Sequence, residues 1–190
     1  SHLGISYAVF CLKKSKQIGY KLNTLDQQLK RQLKLETIPW EASLESKAFG
    51  YRRRARLGVR CRNKTDEIIL GFREEANSHL TSISDCPVLE PELNRLVKPL
   101  HSLISSLEAK GQVTQIELLK GDAEAAVVIR HLKNIHTTDL NRLIQWATDQ
   151  AVQLWLQGDE QLVLAYSPSQ QPLSYQVEGC DLTFDVKDFI

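Results

Sequence analysis

The stretch Tyr51-Arg52-Arg53-Arg54-Ala55-Arg56-Leu57-Gly58-Val59-Arg60-Cys61-Arg62 decides how this chain is read. Its residue types alternate. Ala55, Leu57, Val59 and Cys61 fall on one side, and Arg52, Arg54, Arg56, Gly58, Arg60 and Arg62 on the other. Period two is the signature of a strand with one buried face. The arginines that share the other face lie roughly 6.6 Å apart along it, close to the phosphate repeat of an extended nucleic-acid strand. Arg52, Arg53, Arg54 and Arg56 are packed into five positions of a chain whose net charge is only +1. Guanidinium is planar, always charged and matched to phosphate by its fork of N–H donors. The cluster therefore reads as a place for a nucleic-acid backbone. The other reading is a solvated sheet face whose arginines pair with Glu67, Glu74 and Glu75.

Working outward, Asn63-Lys64-Thr65-Asp66 reads as a hairpin turn and 67–73 as the partner strand. A loop through Glu75-Ala76-Asn77-Ser78 leads to Asp85-Cys86-Pro87. Leu93, Leu96, Val97, Leu100, Leu103, Ile104 and Leu107 form the apolar stripe of a helix over 90–109, stopped by Gly111. Strands are expected at 113–119 and 125–131, then a helix over 138–150 capped by Thr137 or Thr138. Further strands are expected near 152–157, 162–165, 174–177 and 182–184. Upstream, Asn23 or Thr24 caps a helix to about Leu35, with Leu22, Leu25, Leu29 and Leu33 in its stripe, and Ile38-Pro39-Trp40 breaks it. Mixed helices and strands joined by short loops predict an α+β domain on a mixed or antiparallel sheet with packed helices.

The bulk numbers narrow the function. The chain has 190 residues, 42% apolar and 25% charged, as a globular protein has. No apolar run reaches the roughly 18 residues a membrane-spanning helix needs. With 24 basic against 23 acidic side chains, any nucleic-acid site must be a local patch. Cys11, Cys61, Cys86 and Cys180 are too dispersed for zinc-site spacing or a disulfide framework, which fits a reducing cytoplasm. Cys86, before a proline, reads as a packing residue or a metal ligand, and the other three as core. His79, His101, His131 and His136 have no partner at catalytic or metal spacing, and no glycine-rich phosphate loop or nucleophile–base pair is visible. Trp40, Trp146 and Trp155 read as core or edge. There is no methionine, and Ser1-His2 reads as the scar of a cleaved tag.

Five motifs follow one another: Tyr51-Arg52-Arg53-Arg54-Ala55-Arg56-Leu57, Gly71-Phe72-Arg73, Cys86-Pro87-Val88-Leu89 with Pro91 and Leu93, Val128-Ile129-Arg130-His131, and Leu182-Thr183-Phe184 with Asp188-Phe189-Ile190. In this order and spacing they resemble the RNA (uracil-5)-methyltransferases, above all the branch that methylates 23S ribosomal RNA. The resemblance runs from about Leu22 to Ile190. It implies a three-part protein: an OB-like RNA-binding barrel, a central α+β domain carrying a 4Fe–4S cluster, and a Rossmann-like domain. The last binds S-adenosylmethionine and supplies a cysteine nucleophile and a glutamate base. In such enzymes a flipped uridine is attacked at carbon 6, methylated at carbon 5 and released by proton abstraction.

By this resemblance, residues 21–190 are the central, RNA-positioning domain, and residues 1–20 a tag-derived or divergent leader. Arg52, Arg53, Arg54 and Arg56 match RNA-facing arginines, Phe189 an aromatic near the flipped base, and Cys86 the fourth cluster thiolate. The other three thiolates normally come from a Cys-rich stretch ending Cys-Gly-Gly-Cys. Here the region reads Tyr7-Ala8-Val9-Phe10-Cys11-Leu12-Lys13-Lys14-Ser15-Lys16, with one cysteine, so no cluster is expected in this piece. The piece alone is expected to be inactive. The implied partner is 23S ribosomal RNA, with no membrane or protein partner, in a cytoplasmic monomer. A tRNA or another ribosomal uridine, and an architectural module without RNA contact, remain the alternatives.

Overall fold

In the computed structural model the backbone is described for residues 2–42, 47–62, 64–74, 79–158 and 161–189, and side chains for the same residues except 2–17 and 189. The chain divides into two compact units, 1–48 and 49–190.

The first unit is dominated by one helix, α1 (His2–Leu33). It runs straight through Asn23 and Thr24, where the sequence places a cap, and through the expected boundary at residue 20. Thr24 serves the helix from within, its hydroxyl donating to the Tyr20 carbonyl at 2.8 Å. The helix stops before Pro39: Lys34 turns left-handed at φ 54°, and the Leu35 N–H closes back on the Lys30 carbonyl at 3.2 Å. Trp40 Nε1 donates to Asp26 at 2.8 Å and is largely exposed.

The second unit has the expected α+β architecture. Its described residues include nine strands: β1 (Arg54–Cys61), β2 (Ile68–Arg73), β3 (Leu80–Ser82), β4 (Val113–Lys120), β5 (Ala125–His131), β6 (Gln153–Gln157), β7 (Leu162–Tyr166), β8 (Leu173–Val177) and β9 (Cys180–Phe184). The first seven make one sheet in the order β3-β2-β1-β4-β5-β6-β7, and β8 with β9 forms a separate two-stranded hairpin. All neighbours are antiparallel except β5 and β6, which are parallel. The parallel step is possible because α4 (Thr137–Gln150) forms the crossover between them.

One face of the sheet carries the main core. Leu57, Leu70, Ile116, Leu118, Val127 and Ile129 meet Leu93, Leu100, Ile104 and Leu143 from α2 (Pro91–Asn94), α3 (Val97–Ser106) and α4. Opposite lies a second, smaller core of Leu119, Ala126, Val128, Leu173 and Val186, under the β8–β9 hairpin and the short 3-10 turn Val186–Phe189. Strand β5 is therefore covered on both sides, which is why it reads as an unbroken apolar run. Strand β1 is covered on one side only, so it alternates.

Several expectations are corrected. The helix over 90–109 is two helices. Pro99 has no N–H to donate to the Arg95 carbonyl and its ring would crowd that carbonyl, so a new helix begins after Leu96. The second helix ends at Ser106, short of Gly111, and the buried Asp139 carboxylate accepts the N–H groups of Glu108 (3.1 Å) and Ala109 (2.8 Å). Neither Thr137 nor Thr138 caps α4; His136 stands at the cap without a side-chain bond. The short strand β3 was expected to be loop. Cys180 is exposed rather than core, Cys61 is half-buried against the main core, and the side chain of Cys11 and the loop 75–78 lie outside the described residues.

Strand β3 lies so close to β2 that a Cβ on Gly71 would stand 1.8 Å from the Thr81 carbonyl oxygen. Gly71→Ala is therefore expected to lower the unfolding free energy by about 3 kcal/mol in urea titrations. Gly111→Ala, with nothing within 4 Å of the new carbon, should stay within about 0.5 kcal/mol of the parent. Equal midpoints for the two variants would contradict this seating of β3.

Candidate nucleic-acid interface

Two segments far apart in the sequence, 50–52 and 87–90, meet at the start of the arginine run. The Arg52 N–H donates to the Val88 carbonyl (2.8 Å), the Glu90 N–H to the Arg52 carbonyl (3.0 Å) and the Gly50 N–H to the Pro87 carbonyl (2.9 Å). Cys86-Pro87-Val88-Leu89 is thus the clamp that holds Arg52. Cys86 is 7% exposed within the main core. Its N–H donates to Asn94 Oδ1 at 2.8 Å, and Asn94 Nδ2 donates to Asp85 at 2.7 Å.

Arg54 and Arg56 stand beside each other on β1, with Glu117 directly across from Arg56 on β4. The Glu117 carboxylate is 3% exposed. It takes Arg54 at 3.2 Å and Arg56 at 2.9 Å, one on each oxygen. Gln115 Nε2 donates to it at 2.9 Å. A carboxylate this deep is tolerable only because each oxygen meets a charged donor. The two arginine side chains are themselves 42% and 53% exposed. Arg62 pairs with Glu67 at 3.2 Å, as one reading expects. Glu74 accepts the Thr81 hydroxyl at 2.8 Å, and Glu75 lies outside the described residues. Arg52 has no side-chain hydrogen bond or ion pair among the described residues.

Arg53 leaves this pattern. Its carbonyl accepts the Lys120 N–H at 2.9 Å, and its guanidinium pairs with Asp122 in the β4–β5 turn. Asp122 also accepts the Gln176 N–H at 2.8 Å and donates its own N–H to the Ser174 carbonyl at 2.7 Å. Arg53 is thereby linked to hairpin β8–β9. The Arg53 hydrogen bond, and then the Gln176 N–H, hold the Asp122 carboxyl below its ordinary range. Across the β4 end, Lys120 Nζ pairs with Glu92 (2.8 Å) and donates to the Asp122 carbonyl (3.0 Å).

Between the arginine run and the hairpin lies a cavity of about 530 Å³, lined by Tyr51, Arg52, Arg53, Arg54, Leu119, Lys120, Tyr175 and Phe184. Cations form one wall. Tyr175 and Phe184 form the other, their rings 5.7 Å apart and tilted by 52°. Guanidinium groups beside aromatic faces provide what a single-stranded backbone and its bases need: charge for phosphate and flat surfaces for stacking. The structure thus brings Arg52, Arg53 and Arg54 together and gives Arg56 to the Glu117 pair. Phe189 belongs to the 3-10 turn, and its ring lies outside the described residues. Sequence reasoning missed Tyr175, Phe184, Asp122 and Glu117 as parts of this site. A lone carboxylate in the apolar run Ile116-Glu117-Leu118-Leu119 was the available signal for the last.

Among the described residues no three His, Cys, Asp or Glu side chains gather as metal ligands. No described helix is long and apolar enough to cross a membrane.

Comparison with known proteins agrees with the motif order. A 23S rRNA (uracil(1939)-C(5))-methyltransferase RlmD of Erwinia tasmaniensis is 36% identical over 155 residues, and one of Acinetobacter baumannii is 39% identical over 171. The chain is related to one part of the RNA (uracil-C5)-methyltransferases. The matches cover 82% and 88% of this chain but only 35% and 37% of those proteins, so it spans little more than a third of their length. The fold matches the crystal structure of Pyrococcus abyssi tRNA (uracil-54, C5)-methyltransferase in complex with S-adenosyl-L-homocysteine. The TM-score is 0.58 at 20% identity, covering 87% of this chain and 42% of that one. No family model matches.

Glu117 makes the two arginines interdependent. Arg54→Ala or Arg56→Ala alone is expected to cost about 1 kcal/mol, because the other arginine still holds the carboxylate. The double variant strands a buried charge and should cost about 3 kcal/mol or more. Chemical denaturation of the four proteins tests this, and strictly additive losses would refute it.

Asp122 titrates below its ordinary value of about 3.9. Its pairing therefore contributes stability above that pH, lost as pH falls through the depressed value. In Arg53→Ala the Asp122 carboxyl should titrate at higher pH, followed by carboxyl-detected NMR. An unmoved midpoint would rule the pair out.

Proposed function

We propose that this chain is the RNA-positioning part of an S-adenosylmethionine-dependent RNA uridine methyltransferase, with 23S ribosomal RNA as the substrate. The observation that carries the proposal is the cavity where Arg52, Arg53 and Arg54 face Tyr175 and Phe184. In this reading the exposed guanidiniums bind phosphates, the aromatic wall receives unstacked bases, and the chain contributes grip rather than chemistry. Relatives named for uracil 1939 of 23S rRNA favour that target. The fold neighbour named for a tRNA uracil supports a tRNA substrate as the variant of the same reading. In the parent protein the methyl donor and the reacting groups would belong to segments outside 21–190, and this central piece would hold no cluster of its own.

A second reading rests on Glu117. Its pairing with Arg54 and Arg56 gives these two arginines a structural role, as an architectural module requires. Arg52 separates the readings, because its guanidinium has no such duty among the described residues.

The test is binding of a 23S-derived hairpin over a range of salt. The RNA-grip reading expects affinity that falls steeply with salt. Arg52→Ala should weaken binding and lower the log–log salt slope by about one. Binding indifferent to Arg52 and Arg54, or no binding, would favour the architectural module.

A further inference from the structure

A second cavity, of about 300 Å³, lies on the other side of Phe184, which lines both. The two differ in chemistry. The arginine cavity has four cations and no carboxylate in its lining. The second has no Lys or Arg, and its one charged lining residue is Asp185. A phosphate would be repelled there. Its walls are Trp155, Leu164, Pro172, Leu173 and Val186, an apolar slot with one large flat ring.

Apart from Asp185, its polar side chains are amides and hydroxyls. Gln153, itself buried, is fully engaged: its amide nitrogen donates to Glu124 (3.0 Å) and the Gln171 carbonyl (2.7 Å), and its oxygen accepts from Trp155 Nε1 (3.1 Å). That network fixes the Trp155 ring. Gln170, Gln171 and Thr183 also line the cavity, and their side chains have no hydrogen-bond partner among the described residues. The loop that carries the two glutamines is held by its own serines. Ser167 Oγ accepts the Gln170 N–H (2.9 Å) and Ser169 Oγ the Gln171 N–H (3.1 Å). Gln170 is kept in the left-handed region at φ 57°, a conformation that costs energy for a residue with a side chain. Uncommitted amides beside a fixed indole in a slot that excludes anions suit a neutral, flat ligand with hydrogen-bonding edges.

We infer that this second cavity receives a single unpaired nucleobase of the RNA strand gripped by the arginine cavity. Trp155 stacks on the base, and Gln170, Gln171 and Thr183 meet its edge. Phe184 separates this base from the neighbouring nucleotide whose phosphate lies on Arg52 and Arg53. The inference rests on the RNA-grip reading, because a strand must first lie along the arginines. It adds what they cannot provide, a contact that senses bases rather than backbone.

The experiment compares oligouridylate with an abasic ribose-phosphate oligomer of the same length. The protein is the full chain carrying Trp40→Phe and Trp146→Phe, so that its emission comes from Trp155. Oligouridylate should quench that emission and bind about tenfold tighter than the abasic chain, as loss of a stacked base implies. Gln170→Gly with Gln171→Ala should narrow that difference, by the part the base edge contributes, and leave abasic binding unchanged; glycine keeps the left-handed backbone open. Arg52→Ala should weaken both oligomers alike. Salt-sensitive binding of both oligomers with unchanged Trp155 emission would overturn the base site and leave the grip standing. No binding of either would overturn both.

Discussion

The buried Glu117 carboxylate is the constraint on which the arginine strand depends. Without it, Arg54 and Arg56 would be like charges on one strand face, free to splay into solvent. With it, both are tied to the same carboxylate. The cost of desolvating a carboxylate is offset by two arginines whose side chains stay 42% and 53% exposed. A patch built this way is locally cationic in a chain of almost neutral net charge, and the geometry of its donors is set before any ligand arrives.

The same sheet explains why the site lies where it does. Helices α2, α3 and α4 pack on one face. On the other, hairpin β8–β9 covers β4, β5 and β6 but stops short of β1. The edge of that cover leaves two hollows, one against the arginines and one beneath the hairpin itself. Cations line the first because β1 is exposed there. Amides and apolar rings line the second because it borders the smaller core.

How much of this was legible followed from how local each signal is. Strand β5 has the bounds that its apolar run implies, and β1 follows its alternation closely, because each pattern reflects the number of covered faces. The arginine face was visible for the same reason. The break at Arg95–Leu96 was legible in Pro99 but hidden by the apolar stripe that runs through it. Strand β3 has only Leu80-Thr81-Ser82, too short for a period to show, and exists because Gly71 lets it approach. Tyr175, Phe184 and Asp122 join the site through contacts between distant segments, which no window of sequence reports. Cys86 is buried in the main core, next to the segment that clamps Arg52.

Asp122 joins the two walls of the arginine cavity: its carboxylate meets Arg53 on one side and the Gln176 N–H on the other, while its own N–H reaches Ser174. The width of the cleft is therefore governed partly by an exposed ion pair. Mobile ions screen such a pair as they screen phosphate from arginine. Ionic strength then acts at two places at once, on the attraction that brings a nucleic acid in and on the jaw that sets how wide the cleft stands to receive it.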